Sequence, residues 1–167
     1  KHRMIHILAA SILFAASAAL AEEVQVQFDG RQWESGPVIE EAGQSIREFV
    51  PRGESAESWM EQVTVQTFAG LQDKATPEEY MNGMISGLKE SCPGVTWNVI
   101  RKGDRDIIFE WEVKKCSTGE DQHEIDRVIA GAKAIYIVNY ATKKVPLSAS
   151  KRDEWIKLLS AATLTGS

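Results

Sequence analysis

The sequence predicts an α+β domain, an antiparallel sheet flanked by two helices (an α-β-α sandwich) and tied by one disulfide. Three observations predict it. Residues 107–113 alternate apolar and polar side chains, the period-two signature of a strand in an antiparallel sheet. Capping signals at Thr76 and Ser150 open two helices, one before and one after a run of hairpin-linked strands. Helices set apart from such strands make an α+β layer arrangement. The third observation is the pair Cys92 and Cys116 among the 167 residues, placed where a bridge would join the first helix to the longest strand.

Taken in order, residues 1–21 have the form of a secretory signal peptide. A basic start with Lys1 and Arg3 leads into an apolar run closed by Ala19-Leu20-Ala21, and acidic Glu22-Glu23 follows. The rival reading, an uncleaved anchor over Met4–Ala21, is opposed by His6, Ser11 and Ser17 and by the acid that follows it. Residues 22–45 read as a polar N-terminal arm or weak strands, and residues 46–167 as a single α+β domain. Ile46–Val50 is a short strand stopped by Pro51. Residues 62–68 place Val63, Val65 and Thr67 on one face, as in a sheet with one side wet. Thr76-Pro77-Glu78-Glu79 combines a cap, a proline at the first helical position and a capping box. The helix it opens, about 77–91, carries Tyr80, Met81, Met84, Ile85 and Leu88 on one stripe. Gly83 and Gly87 share a side and are read as a place for close packing on the sheet. Cys92-Pro93-Gly94 ends the helix.

Residues 95–101 and 107–115 then form a hairpin about Lys102-Gly103-Asp104. The second of these strands is read as the central one. Residues 117–126 form an acidic polar loop running into a strand, and 123–130 pairs with 134–141. Ser150-Lys-Arg-Asp153 reads as the second capping box, with Trp155, Leu158, Leu159 and Ala162 turned inward.

Charge and residue counts exclude several chemistries. The chain holds 19 basic and 24 acidic residues, a net charge of −5. Without Lys1 and Arg3 the balance is 17 against 24, or −7. Such a surface does not suit nucleic acid, whose phosphates demand a basic patch, nor an anionic membrane. His2 and His6 lie in the leader, so beyond residue 21 only His123 can serve as an imidazole base or ligand. A bridge between Cys92 and Cys116 removes thiolate chemistry too, and would contribute about 3–4 kcal/mol by chain entropy. No cofactor, metal or catalytic residue is assigned from the sequence.

The remaining candidates are each read beside a plainer role. Glu110 and Glu112 flank Trp111 with Cβ atoms about 6–7 Å apart, a spacing open to paired-carboxylate chemistry. The plainer reading is a solvated face meeting cross-strand Lys or Arg. Asp121, His123 and Asp126 could gather a divalent ion, but their spacing fits no established loop pattern. Arg127 falls on an inward phase and wants a carboxylate, with Glu110 or Glu112 in reach. Of the tryptophans, Trp97, Trp111 and Trp155 sit in core phase, whereas Trp33 and Trp59 are the candidates for an exposed binding surface.

The layout from Trp59 to Leu164 resembles small bacterial envelope proteins of the Mog1/PsbP-like type, which include DcrB-like proteins. The likeness lies in Trp59 before a strand, the Thr76-Pro77 helix and the strands around Ile107–Val113. Arg127-Val-Ile-Ala-Gly-Ala-Lys-Ala-Ile-Tyr136 and the helix at Trp155 complete it. The resemblance implies a non-enzymatic accessory or binding module, and carries over no catalytic residue. The disulfide and the acidic loop 117–126 depart from the pattern. The expectation is therefore an exported, soluble, non-catalytic accessory or binding protein of the bacterial envelope, periplasmic or secreted. Its partner would be another envelope protein or a small ligand, without nucleic acid and without membrane insertion once the leader is cleaved. The alternative is a hydrolase or lyase using His123 with nearby carboxylates.

Overall fold

Local chemistry sets where each helix starts in the computed structural model, which describes residues 21–117 and 119–166. The segment expected to be a signal peptide, residues 1–21, lies outside the described residues apart from Ala21. Helix α1 (Pro77–Ser91) begins at a complete capping box. The Glu79 amide donates to Thr76 Oγ1 at 3.1 Å, and the Thr76 amide donates to Glu79 Oε2 at 2.8 Å. Helix α2 (Ala149–Ser160) is capped by Ser148, whose hydroxyl accepts from the Lys151 amide. The box expected at Ser150–Asp153 is therefore corrected by two residues: Ser150 is already helical.

Ten strands surround the helices among the described residues: β1 (Glu23–Gln25), β2 (Trp33–Ser35), β3 (Ile39–Glu41), β4 (Gln44–Pro51), β5 (Glu61–Ala69), β6 (Thr96–Lys102), β7 (Asp106–Val113), β8 (Gln122–Ala130), β9 (Ala134–Thr142) and β10 (Thr163–Thr165). Strands β1 and β10 pair with each other. The rest form one antiparallel sheet in the order β2-β4-β5-β9-β8-β7-β6, with β3 also paired to β4. The central strand is β9, not the β7 expected from the sequence. Every residue of β9 is buried, because both of its faces are covered, and a strand covered on both faces reads as a continuous apolar run.

Two apolar layers sandwich the sheet. Ile135 and Ile137 of β9 join Ile107, Phe109 and Val113 under Met81 and Ile85 of α1. Tyr136, Val138 and Tyr140 join Ile108 and Ile125 under Trp155 and Leu159 of α2. Trp155 is fully buried and stacks on Tyr140, ring centroids 4.3 Å apart. Burying one such ring contributes about 4–6 kcal/mol of transfer free energy. Strand β5 is not wet on one side as its alternation suggested: Gln62 and Thr64 on its second face are buried as well. Gly83 and Gly87 do not pack on the sheet either. A Cβ at either would meet open space, so both lie on the outer face of α1.

The N-terminal arm is held to this body by two charged clasps. The Glu22 carboxylate accepts from the Ala132 amide at 2.9 Å, the Lys133 amide at 3.3 Å and the Tyr136 hydroxyl at 2.7 Å. Arg31 forks between Glu61 (2.8 and 3.1 Å) and Asp29 (2.7 Å), while the Trp33 indole donates to Asp29 and Tyr140 donates to Glu61. Burial opposes both carboxylate charges, but the Arg31 hydrogen bonds and charge, joined by Trp33 at Asp29 and by Tyr140 at Glu61, together outweigh it and lower both groups to about 2. Trp33 is thereby seated edge-on against Trp155 at 5.5 Å. It is not an exposed platform, which corrects the expectation for this residue.

Arg127 does face inward, but its partners are not Glu110 or Glu112. Its Nε donates to Asp106 at 3.0 Å, and its Nη1 meets the carbonyls of Leu159, Ser160 and Ala162 at the end of α2. A cation there satisfies orphan carbonyls and complements the negative helix terminus.

Candidate functional site

Strand parity and register bring three of the sequence candidates together. His123 of β8 lies directly across from Glu112 of β7, and Glu110 is two residues further along on the same face. His123 Nδ1 is 3.3 Å from Glu112 Oε2, and Nε2 is 3.3 Å from Glu110 Oε2. The helix supplies a fourth member. Arg152, on α2, donates from Nε and Nη2 to both Glu110 oxygens at 2.8–3.1 Å. Lys114 pairs with Glu112 at 2.8 Å. Asn98 and Thr96 of β6 complete the floor of a shallow recess of about 200 Å³.

The electrostatics of this cluster favour holding over reacting. Burial works against the Glu110 charge, yet the Arg152 guanidinium, and then His123, more than offset it and leave its carboxyl below the usual range. A glycosidase acid needs the opposite shift. With a carboxylate 3.3 Å from each ring nitrogen, His123 turns neither nitrogen freely toward a substrate.

The other candidates lie elsewhere. Asp121 accepts from the Lys115 amide at 2.7 Å and so closes the turn after β7, where Lys115 has positive φ. Asp126 is three residues from His123 and therefore on the opposite face of β8, under α1. This separates the trio once read as a possible ion site. Trp97 is 44% exposed on edge strand β6, with the Lys89 ammonium 4.1 Å from its ring, and does not belong to the core. Trp59 is half-buried beneath Lys143 Nζ at 4.5 Å. Cys92 and Cys116 lie 2.5 Å apart, and Cys116 Sγ also lies 3.3 Å from the Ser91 carbonyl. The structure thus brings the two side chains together at the end of α1, as the sequence reading expected, while the covalent bond itself is not shown.

The sequence matches no family model and no curated protein.

Sequence reasoning missed a second pair of acids. Glu124 and Asp126 share the α1 face of β8, and Asp126 is fully buried with neither carboxyl oxygen in hydrogen-bond geometry. Its polar neighbours are Glu124, Asn139 and the Trp111 indole. Burial raises both acids, and Asp126 is raised further by Glu124. Tyr80 of α1, near both, is pushed up to about 12 by burial and then by these carboxyls. Raised carboxyls are the profile of an acid catalyst, but this pair is sealed beneath α1. Arg152 was missed because nothing local marks it; it acts only once α2 is folded over β7.

Among the described residues no helix is long and apolar enough to cross a membrane.

Proposed function

We propose that this chain is an exported, non-catalytic accessory or binding protein of the bacterial cell envelope, acting by contact with another envelope protein or a small ligand. The observation that carries the reading is the His123 arrangement. The one imidazole beyond the leader is held by a carboxylate at each nitrogen, a geometry that ties β7 to β8 and leaves neither nitrogen open to a substrate. The leader and the resemblance to Mog1/PsbP-like envelope proteins support the same reading. The test is a panel of nitrophenyl esters, phosphates and glycosides run with wild type and His123→Ala. The expected result is no turnover that depends on His123. Hydrolysis abolished by the substitution overturns the proposal in favour of a hydrolase.

The export reading carries a second expectation. In an oxidising compartment Cys92 and Cys116, already side by side, form a disulfide. Intact mass of envelope-extracted protein, alkylated in denaturant without reductant, is expected to show no added alkyl group, and two after reduction. Two groups before reduction would remove the bridge from the account. The same spectrum reads whether residues 1–21 have been cut away.

A further inference from the structure

On the α2 side of the sheet, α2 itself covers β8 and β9, and the β1 arm stands beside it. Between the arm and strands β4 and β5 lies a recess of about 510 Å³, within the range of small-molecule sites. Its walls include Val24, Val26, Phe28, Phe49 and Val65. Arg47 stands among them, in line with Phe49 on β4 and across from Val65 of β5. Every other arginine of the described residues has a carboxylate or carbonyl partner, but Arg47 makes no ion pair and no side-chain hydrogen bond there. Its guanidinium lies 6.0 Å from the Phe49 ring centre, over an apolar floor.

Acids also line the recess, and their placement decides the sign of the ligand. The Glu22 carboxylate is already held by two amides and the Tyr136 hydroxyl. Glu23 sits on β1 out of phase with inward Val24 and is exposed, so it lines the recess at its solvent side. Glu40, across from Ser45, stays unpaired with Arg47 at the rim. An unpaired guanidinium above an apolar floor suits a planar anion, which it meets with two parallel donors.

We infer that this recess binds a small anionic amphiphile, an acyl or aryl body with one carboxylate or phosphate head, with Arg47 as the anion clamp. The inference rests on the binding-module reading above and names its ligand class and site. Dodecanoate, kept below its micelle concentration, is the probe, with octanoate for chain length and dodecyltrimethylammonium for charge. Calorimetry gives affinity, and amide chemical shifts give the place. Dodecanoate is expected to bind more tightly than octanoate, with shifts confined to Val24, Val26, Phe49, Val65 and their neighbours. Arg47→Gln, at an exposed position that makes no ion pair and no side-chain hydrogen bond among the described residues, is expected to weaken it on the order of tenfold. Glu40→Gln is expected to leave binding intact or tighten it. No binding of dodecanoate, equal binding by Arg47→Gln, or tighter binding of the cationic amphiphile overturns the inference. Those outcomes leave a protein-binding role standing, whereas His123-dependent hydrolysis would remove the underlying reading whatever the amphiphiles do.

Discussion

Arg127→Met is expected to lose about 2–4 kcal/mol of folding stability. Methionine keeps the apolar stem that packs between Ile125 and Ile129 but removes the charged head. The Leu159, Ser160 and Ala162 carbonyls then lose the guanidinium together. Leu159 keeps the Ala162 amide at 3.2 Å, so the loss falls on Ser160 and Ala162, and a buried acceptor without a partner costs more than the net worth of its bond. Asp106 is not stranded, because Arg101 Nη2 also reaches it at 2.9 Å. The loss therefore falls on α2 and on the β10 segment that follows it. Urea denaturation is the check. The midpoint should fall with little change in slope, and amide exchange should quicken first in α2. Arg127→Lys should recover part of the loss, since an ammonium reaches a carbonyl but lacks the fork. A loss under about 1 kcal/mol for the methionine variant would mean that the helix end is satisfied by other means.

Arg127 also shows where sequence reading succeeds and where it stops. Its inward phase followed from Ile125 and Ile129 on either side. Its partners did not, because they are backbone carbonyls at the end of a helix thirty-odd residues away, and no residue type announces a carbonyl. The capping box at Thr76 was legible for the converse reason: donor, acceptor and proline all lie within four residues. Trp97 and Trp33 make the same point in opposite directions. Alternation tells which face a side chain takes, but whether that face is covered depends on neighbours in space. Trp97 shares the phase of Trp111, yet β6 is an edge strand and the ring stays open. Trp33 lies in an irregular polar stretch, yet the Arg31–Glu61 pair draws it onto Trp155. The candidate site falls between these cases. Glu110, Glu112 and His123 could be named from composition, but their meeting required the β7–β8 register, which an eight-residue loop does not fix. Parity alone could have shown that Asp126 faces away from His123, and that one strand therefore carries acids on both sides.

The acids on the far side yield the second large effect, and its sign is opposite to that of an ordinary salt-bridged carboxylate. Asp126 and Glu124 hold their protons more tightly in the folded chain than in the unfolded one, first through burial and, for Asp126, then through each other. A group raised on folding gives full stability while it is protonated in both states, below about pH 4. As pH climbs from there the unfolded chain ionises first, and stability is lost until the folded value is reached. Asp29 and Glu61, lowered to about 2, pull the other way; their contribution is present above about pH 4 and fades as pH falls toward 2. The two effects together predict a stability maximum in mildly acidic solution. Asp126→Asn removes the ionisable group and gives the Glu124 carboxyl an amide donor. Thermal melts should then show the variant about 1–3 kcal/mol more stable than wild type at pH 7, or about 2–4 °C in midpoint for each kcal/mol. The two proteins should converge near pH 4, where wild type is protonated as well. A variant less stable at pH 7, with the wild-type slope retained, would mean that Asp126 is ionised in the folded chain and held by a group that asparagine cannot satisfy.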